Sequence, residues 1–148
     1  MDYAEALALA RQRLDSHGLP DWSARLDHAR QRCGSCHFQR REITLSRHFV
    51  GLNDAAEVEA TILHEIAHAL AGAHAGHGRK WQQIAKQIGA PSHTTNASAR
   101  MPPPPWGLRC TQCARIVATR HRRSLKLDRI RCRYCGIAQG LLHWVKLS

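Results

Sequence analysis

"HEIAHALAGAHAGHG", residues 64–78, places four histidines and one glutamate in a run otherwise made of small and apolar residues. Ile62, Leu63, Ile66, Ala67, Ala69 and Leu70 leave almost no polar face around the first pair, so a helix with solvated histidines accounts for them poorly. On a helix, positions i and i+4 share a face one turn apart, so His64 and His68 can offer two imidazole nitrogens to one tetrahedral ion. Glu65 stands beside them without being a ligand. A catalytic zinc lowers the pKa of its water to about 7, and a carboxylate in this place can take the proton. That is the chemical content of the H-E-x-x-H pattern, with Glu65 as the base.

A third protein ligand has to come from further along, and His74 and His77 compete for the place. On an unbroken helix His74 is turned about 240° away from His68. Gly72 and Gly76 permit the chain to reverse first, after which His77 opens the next helix and can point back across the turn. A metzincin arrangement would choose His74, but it asks for a glycine where this chain has Ala71.

Outward from the motif, Asn53 or Asp54, with Glu57 three residues after Asp54, caps a helix through "AAEVEATILHEIAHALAG", residues 55–72. A further helix over about 78–88 carries Trp81, Ile84, Ala85 and Ile88 on one face. Upstream, "ARLDHARQRCGSCHFQRREITLSRHF", residues 24–49, alternates weakly about a Gly-Ser pair and predicts a hairpin of strands near 24–32 and 37–46. The chain opens on a helix over 2–16 with Leu7, Ala10, Arg11 and Leu14 at helical spacing, stopped by Gly18 and Pro20. Residues 91–106, "PSHTTNASARMPPPPW", have linker composition, stiffened by four consecutive prolines. The expected division is therefore a domain over 1–105, with its linker at about 91–105, and a second module over 106–148.

That second module holds "CTQC", Cys110 and Cys113, and after 18 residues "CRYC", Cys132 and Cys135. Two such knuckles close a tetrahedral thiolate site at the spacing of a zinc ribbon. Four thiolates leave no open coordination position, so this zinc is structural. "RIVATRH" and "LKLDRIR", between the knuckles, are expected to pair as two strands around a piece too small for a core of its own.

Of the 22 Lys and Arg residues, ten fall in residues 107–148 against one acid, Asp128. Arg115, Arg120, Arg122, Arg123, Lys126, Arg129, Arg131 and Arg133 can form a phosphate-binding face, with Tyr134, Trp106 and Trp144 available for stacking on bases. Cys33, Cys36 and His37 make a C-x-x-C-H, the attachment pattern of c-type haem, which matures outside the cytosol. The chain shows no export signal, so free thiols flanking the hairpin turn are the reading, with a second knuckle completed by His28 and His37 as the alternative. His17, His48, His93, His121 and His143 carry no pattern. No run approaches the roughly 20 apolar residues of a membrane span. A cytoplasmic protein, nucleoid-associated in a bacterium, and a monomer are expected.

"HGRKW", residues 77–81, "ILHEIAHAL", residues 62–70, "RREITLSRHF", residues 40–49, and the four-cysteine module together resemble the SprT-like, Spartan-related zinc metalloprotease family. The resemblance spans most of residues 24–148. It implies that His77, from a His-Gly-x-x-aromatic segment, completes the catalytic zinc site of His64 and His68, with Glu65 as catalytic base. It also implies two zinc ions per chain, and a peptidase acting on proteins bound or crosslinked to DNA. The stretch from His68 to His77 is short for the family, and no ubiquitin-binding or sliding-clamp-binding tail like those of larger eukaryotic relatives is present. The fold expected is α+β: a small zincin-like domain followed by a β zinc ribbon. The reading from another class is a non-catalytic, zinc-stabilised nucleic-acid-binding protein, against which Glu65 stands, since a structural site gains nothing from a base.

Overall fold

A computed structural model of the chain describes residues 1–91 and 98–147. The fold is α+β and falls into two compact units, 1–102 and 103–148, each taken by itself below. His93 and the rest of 92–97, part of the expected linker, lie outside the described residues.

The first unit begins with helix α1 (Tyr3–Ser16), whose N-terminal amides at Ala4 and Glu5 donate to the Asp2 carboxylate. Ala6, Ala10 and Leu14, four residues apart, form its fully buried stripe, and Leu7 sits at the margin. Three strands follow: β1 (Ser23–Asp27), β2 (Gly34–His37) and β3 (Glu42–Ser46), in the order β1-β3-β2. β1 runs parallel to β3, and β2 antiparallel to it.

The hairpin expected from 24–32 and 37–46 is therefore corrected. Gly34 and Ser35 are not a turn but the start of β2, and the β2–β3 connection is a 3-10 turn at Phe38–Arg40 with Arg41 in the left-handed region (φ 48°). Residues 28–33 instead cross over the sheet, and polar groups explain why. The Asp27 carboxylate accepts from the Ala29 amide, the Thr44 hydroxyl and Arg32, while the Ser46 hydroxyl donates to the Ala29 carbonyl. Asp27 and Ser46 thus find partners in the crossover, and Thr44, which donates to Asp27, and Ser46 are fully buried.

Ser46 also caps a short helix absent from the sequence reading, α2 (Arg47–Leu52), by accepting from the Phe49 amide. Asp54 caps helix α3 (Ala55–Ala71). Asn53 turns inward instead: its amide nitrogen donates to the carbonyls of Phe49 and Arg100, and its oxygen accepts from the Arg100 amide. Helix α4 (Arg79–Gln87) completes the unit. The core joins Ala6, Ala10 and Leu14 to Ile43, Leu45, Phe49, Val58, Ile62 and Ile66. A second cluster of Ala67, Ala71, Trp81, Ala85 and Ala90 lies between α3 and α4, where small residues let the two helices approach.

The second unit is a three-stranded antiparallel sheet of β4 (Trp106–Cys110), β5 (Ile116–Arg120) and β6 (Leu142–Lys146), ordered β5-β4-β6, with a one-turn helix α5 (Gly136–Gln139) before the last strand. The expected pairing of the two segments between the knuckles is not what forms. "RIVATRH" supplies β5, but its partner is β4, and "LKLDRIR" contains a 3-10 turn, Leu127–Arg129, with a single bridge from Arg131 to Leu141. Leu125, Leu127 and Ile130 serve as a plug against Leu108, Cys110, Cys132 and Leu142.

Candidate metal centres and active-site cleft

The helical course of α3 puts His64 and His68 on one face, and its C-cap at Gly72 (φ 95°) reverses the chain. Successive tight turns follow, with Gly72 donating to the His68 carbonyl, Ala75 to that of Gly72 and Gly78 to that of Ala75. They bring His77 back over α3, where Gln82 holds its carbonyl from the first turn of α4. The His77 Nε2 lies 3.0 Å from the His68 Nε2 and 3.1 Å from the His64 Nε2. His74 is exposed in the turn and outside this group.

Three imidazole nitrogens at these distances cannot satisfy one another. Each Nε2 carries either one hydrogen or one lone pair, so among three such atoms at least two are alike, and one pair sets like against like. A single cation at the centre removes the conflict. Zinc at about 2.0–2.1 Å from each nitrogen in tetrahedral geometry needs them about 3.3 Å apart, close to what is found. Burial, with His68 and His77 adding to it, pushes the His64 pKa down to about 4, and burial with His77 brings His68 to about 4. Both rings are therefore in the neutral, ligating form. Beneath the triad lies Trp81, fully buried, its ring centre 4.8, 5.4 and 4.7 Å from those of His64, His68 and His77. Its indole N–H has no hydrogen-bond partner among the described residues, so it meets the triad as a packing platform. The sequence reading gave Trp81 only a place on an apolar face.

Glu65 is 7 % exposed, and burial raises its carboxyl to about 8, opposed weakly by Arg32. It lines a cleft of about 580 Å³ together with the three histidines. The crossover and β2 line it too, through Arg32, Cys33, Gly34 and Cys36, as does Met101. Cys33 and Cys36 thus lie on the cleft and do not flank a turn. Their thiols are held in the neutral form: burial, then the charge of Glu65, pushes Cys36 up to about 12 and moves Cys33 the same way. His37, the suggested co-ligand, meets the Ser35 hydroxyl at 2.9 Å, and His28 is exposed.

In the second unit the Sγ atoms of Cys110, Cys113, Cys132 and Cys135 all lie within 4.8 Å of one another. The Cys113–Cys132 separation of 3.8 Å equals the spacing of about 3.8 Å that two thiolates take on a tetrahedral zinc with bonds of about 2.3 Å. Both knuckles turn alike, with Ala114 (φ 59°) and Gly136 (φ 75°) after the second cysteine donating to the carbonyl of the first. Backbone amides of Cys113 and Gln112 aimed at the Cys110 sulfur bring it down to about 7, toward the thiolate a metal requires.

Arg115, Arg120, Arg122, Arg123, Lys126, Arg129 and Arg133 are exposed. Arg115 and Arg133 each stack on Tyr134, 4.9 Å from the ring centre, and Arg123 stacks on Trp106 at 4.4 Å. Arg131 behaves differently. Its guanidinium donates to the carbonyls of Leu127, Asp128 and Ile130, so it secures the 3-10 turn. Trp144 packs against the ribbon core. No helix among the described residues is long and apolar enough to cross a membrane.

The model of the SprT-like family matches residues 5–101, a span that begins within α1 and ends before the four-cysteine unit. No curated protein and no solved structure matches the chain.

Proposed function

The chain belongs to the SprT-like family, and on that premise we propose that it is a zinc-dependent metalloendopeptidase that binds DNA and cleaves proteins bound or crosslinked to it. One observation carries the reading: three imidazole nitrogens converge at the wall of a cleft that also holds a buried glutamate. His64, His68 and His77 would hold a zinc ion, which would supply Lewis acidity and an acidified water. Glu65, with its carboxyl on the cleft, is the base that would hold the proton given up by the attacking nucleophile and return it to the leaving amine. The raised pKa of Glu65 is that of the acid without a neighbouring dication, whose charge favours the carboxylate. β2, the edge strand bordering the cleft, offers an extended peptide a partner to lie against, and Cys33, Cys36 and Met101 give it weakly selective apolar contacts. A second, structural zinc on Cys110, Cys113, Cys132 and Cys135 holds the ribbon, whose exposed arginines meet phosphates.

The test is cleavage of a DNA-bound protein substrate with and without DNA, with Glu65→Gln as the control. Cleavage stimulated by DNA and abolished in the variant is expected. Equal activity in the variant would remove Glu65 as the base, and no cleavage by the wild-type chain would sink the catalytic reading and leave a zinc-stabilised nucleic-acid-binding protein.

A further inference from the structure

We infer that Gly34 is a positioning residue for Glu65: the missing side chain at 34 is the seat into which the Glu65 side chain is packed. The catalytic half of this inference rests on Glu65 being the base, while the packing half does not. Gly34 is the first residue of β2 and pairs with Leu45. Its backbone lies outside the left-handed region, so space, not conformation, demands glycine here. A Cβ at this position would stand 2.9 Å from the Thr44 carbonyl oxygen, 3.0 Å from the Glu65 Oε1 and 3.1 Å from the Glu65 Cγ. Two of these three contacts are therefore with the acid itself.

Helix α3 cannot retreat to relieve them, because Ile62 and Ile66, beside Glu65 on the same helix, are fully buried in the core. With any side chain at 34, either the carboxyl swings away or β2 lifts from β3. No hydrogen bond among the described residues holds the Glu65 carboxyl. Steric seating is then what fixes a group whose proton transfer depends on sub-ångström placement. The competing account is that glycine serves strand pairing alone, through the Thr44 contact.

A double-mutant cycle on the full zinc-loaded chain separates the two. Gly34→Ala should lower the melting temperature, and in a Glu65→Ala background at least about half of that loss should disappear, because the acid's contacts are gone. In cleavage of an unstructured peptide, Gly34→Ala should lower kcat roughly 10- to 100-fold, with KM and zinc content unchanged. The same thermal loss in both backgrounds would overturn the seat, as would wild-type kcat in a folded Gly34→Ala protein. Should Gly34→Ala fail to fold, the double variant has to recover folding, and a double variant that is equally unfolded overturns the inference. Failure of the base reading looks different: a fully active Glu65→Gln enzyme alongside an intact stability cycle.

Discussion

At Glu65 metal binding and chemistry come apart, because the carboxyl is not among the converging donor atoms. Glu65→Gln is expected to keep the fold and full zinc content while losing roughly two to four orders of magnitude in kcat. His77→Ala should empty the histidine site, and His74→Ala, altering an exposed turn residue, should leave zinc content unchanged; metal analysis of the three variants decides. A second expectation concerns Cys36, whose thiol is pushed up to about 12. At pH 8 it should alkylate at least about tenfold more slowly than an exposed cysteine, as peptide-resolved mass spectrometry of the native protein would show. His64, Glu65 and His68 were legible in the sequence because helical geometry alone fixes their relation. The third donor was not, since the glycines between His68 and His77 permit many turns, and only the family resemblance chose between His74 and His77. Gly34, Cys33 and Cys36 were out of reach, because their place on the cleft follows from a crossover that the alternation of residues 24–32 did not reveal.

Elements repeat this contrast. Helices α1, α3 and α4 stand where caps and periodicity put them, since each is specified by its own residues. The strands depend on partners distant in sequence, so β1 appeared as half of a hairpin and β4 and β6 were missed. The crossover that misled the reading makes its own prediction. Burial raises the Asp27 carboxyl, but the Ala29 amide, the Thr44 hydroxyl and Arg32 outweigh it and hold the pKa below the ordinary value. A depressed folded pKa stabilises above the unfolded value of about 3.9, and that stability is lost as pH falls through the folded pKa. Asp27→Asn should therefore lower the melting temperature by several degrees near neutrality and by little at an acid pH below the folded pKa, where the wild-type acid is itself protonated. An equal loss at both pH values would mean that packing, not charge, holds the crossover. Between α3 and α4, Trp81 joins the core to the metal triad. Trp81→Ala should cost about 3–5 kcal/mol of stability and weaken zinc at the histidine site about 10- to 100-fold, while Trp81→Phe retains most of both. Chelator competition and thermal melting measure the two effects separately.

Across the whole chain two chemically unlike zinc sites are expected, and they should exchange unequally. Four thiolates in a closed site retain metal better than three imidazoles on an open cleft, so a chelator should silence cleavage before it unfolds the ribbon. Charge is as unevenly divided as the metal ligands, because nearly half of the basic residues fall in the last 42 positions. If the exposed arginines there neutralise about four phosphates, affinity for DNA should fall by roughly two orders of magnitude between about 50 and 200 mM salt. The arrangement of the arginines sharpens this. Arg122→Ala and Arg123→Ala, at exposed positions, should each reduce the salt slope by about one, whereas Arg131→Ala should leave the slope and lower the ribbon's thermal stability, because its guanidinium serves the Leu127–Arg129 turn. Removal of residues 103–148 should then weaken DNA binding, leave the histidine zinc in place, and reduce cleavage of DNA-bound substrates far more than cleavage of an unstructured peptide. Equal losses on the two substrates would show that the ribbon supports the catalytic unit's fold, and unchanged DNA affinity after truncation would move the anchor to the first unit.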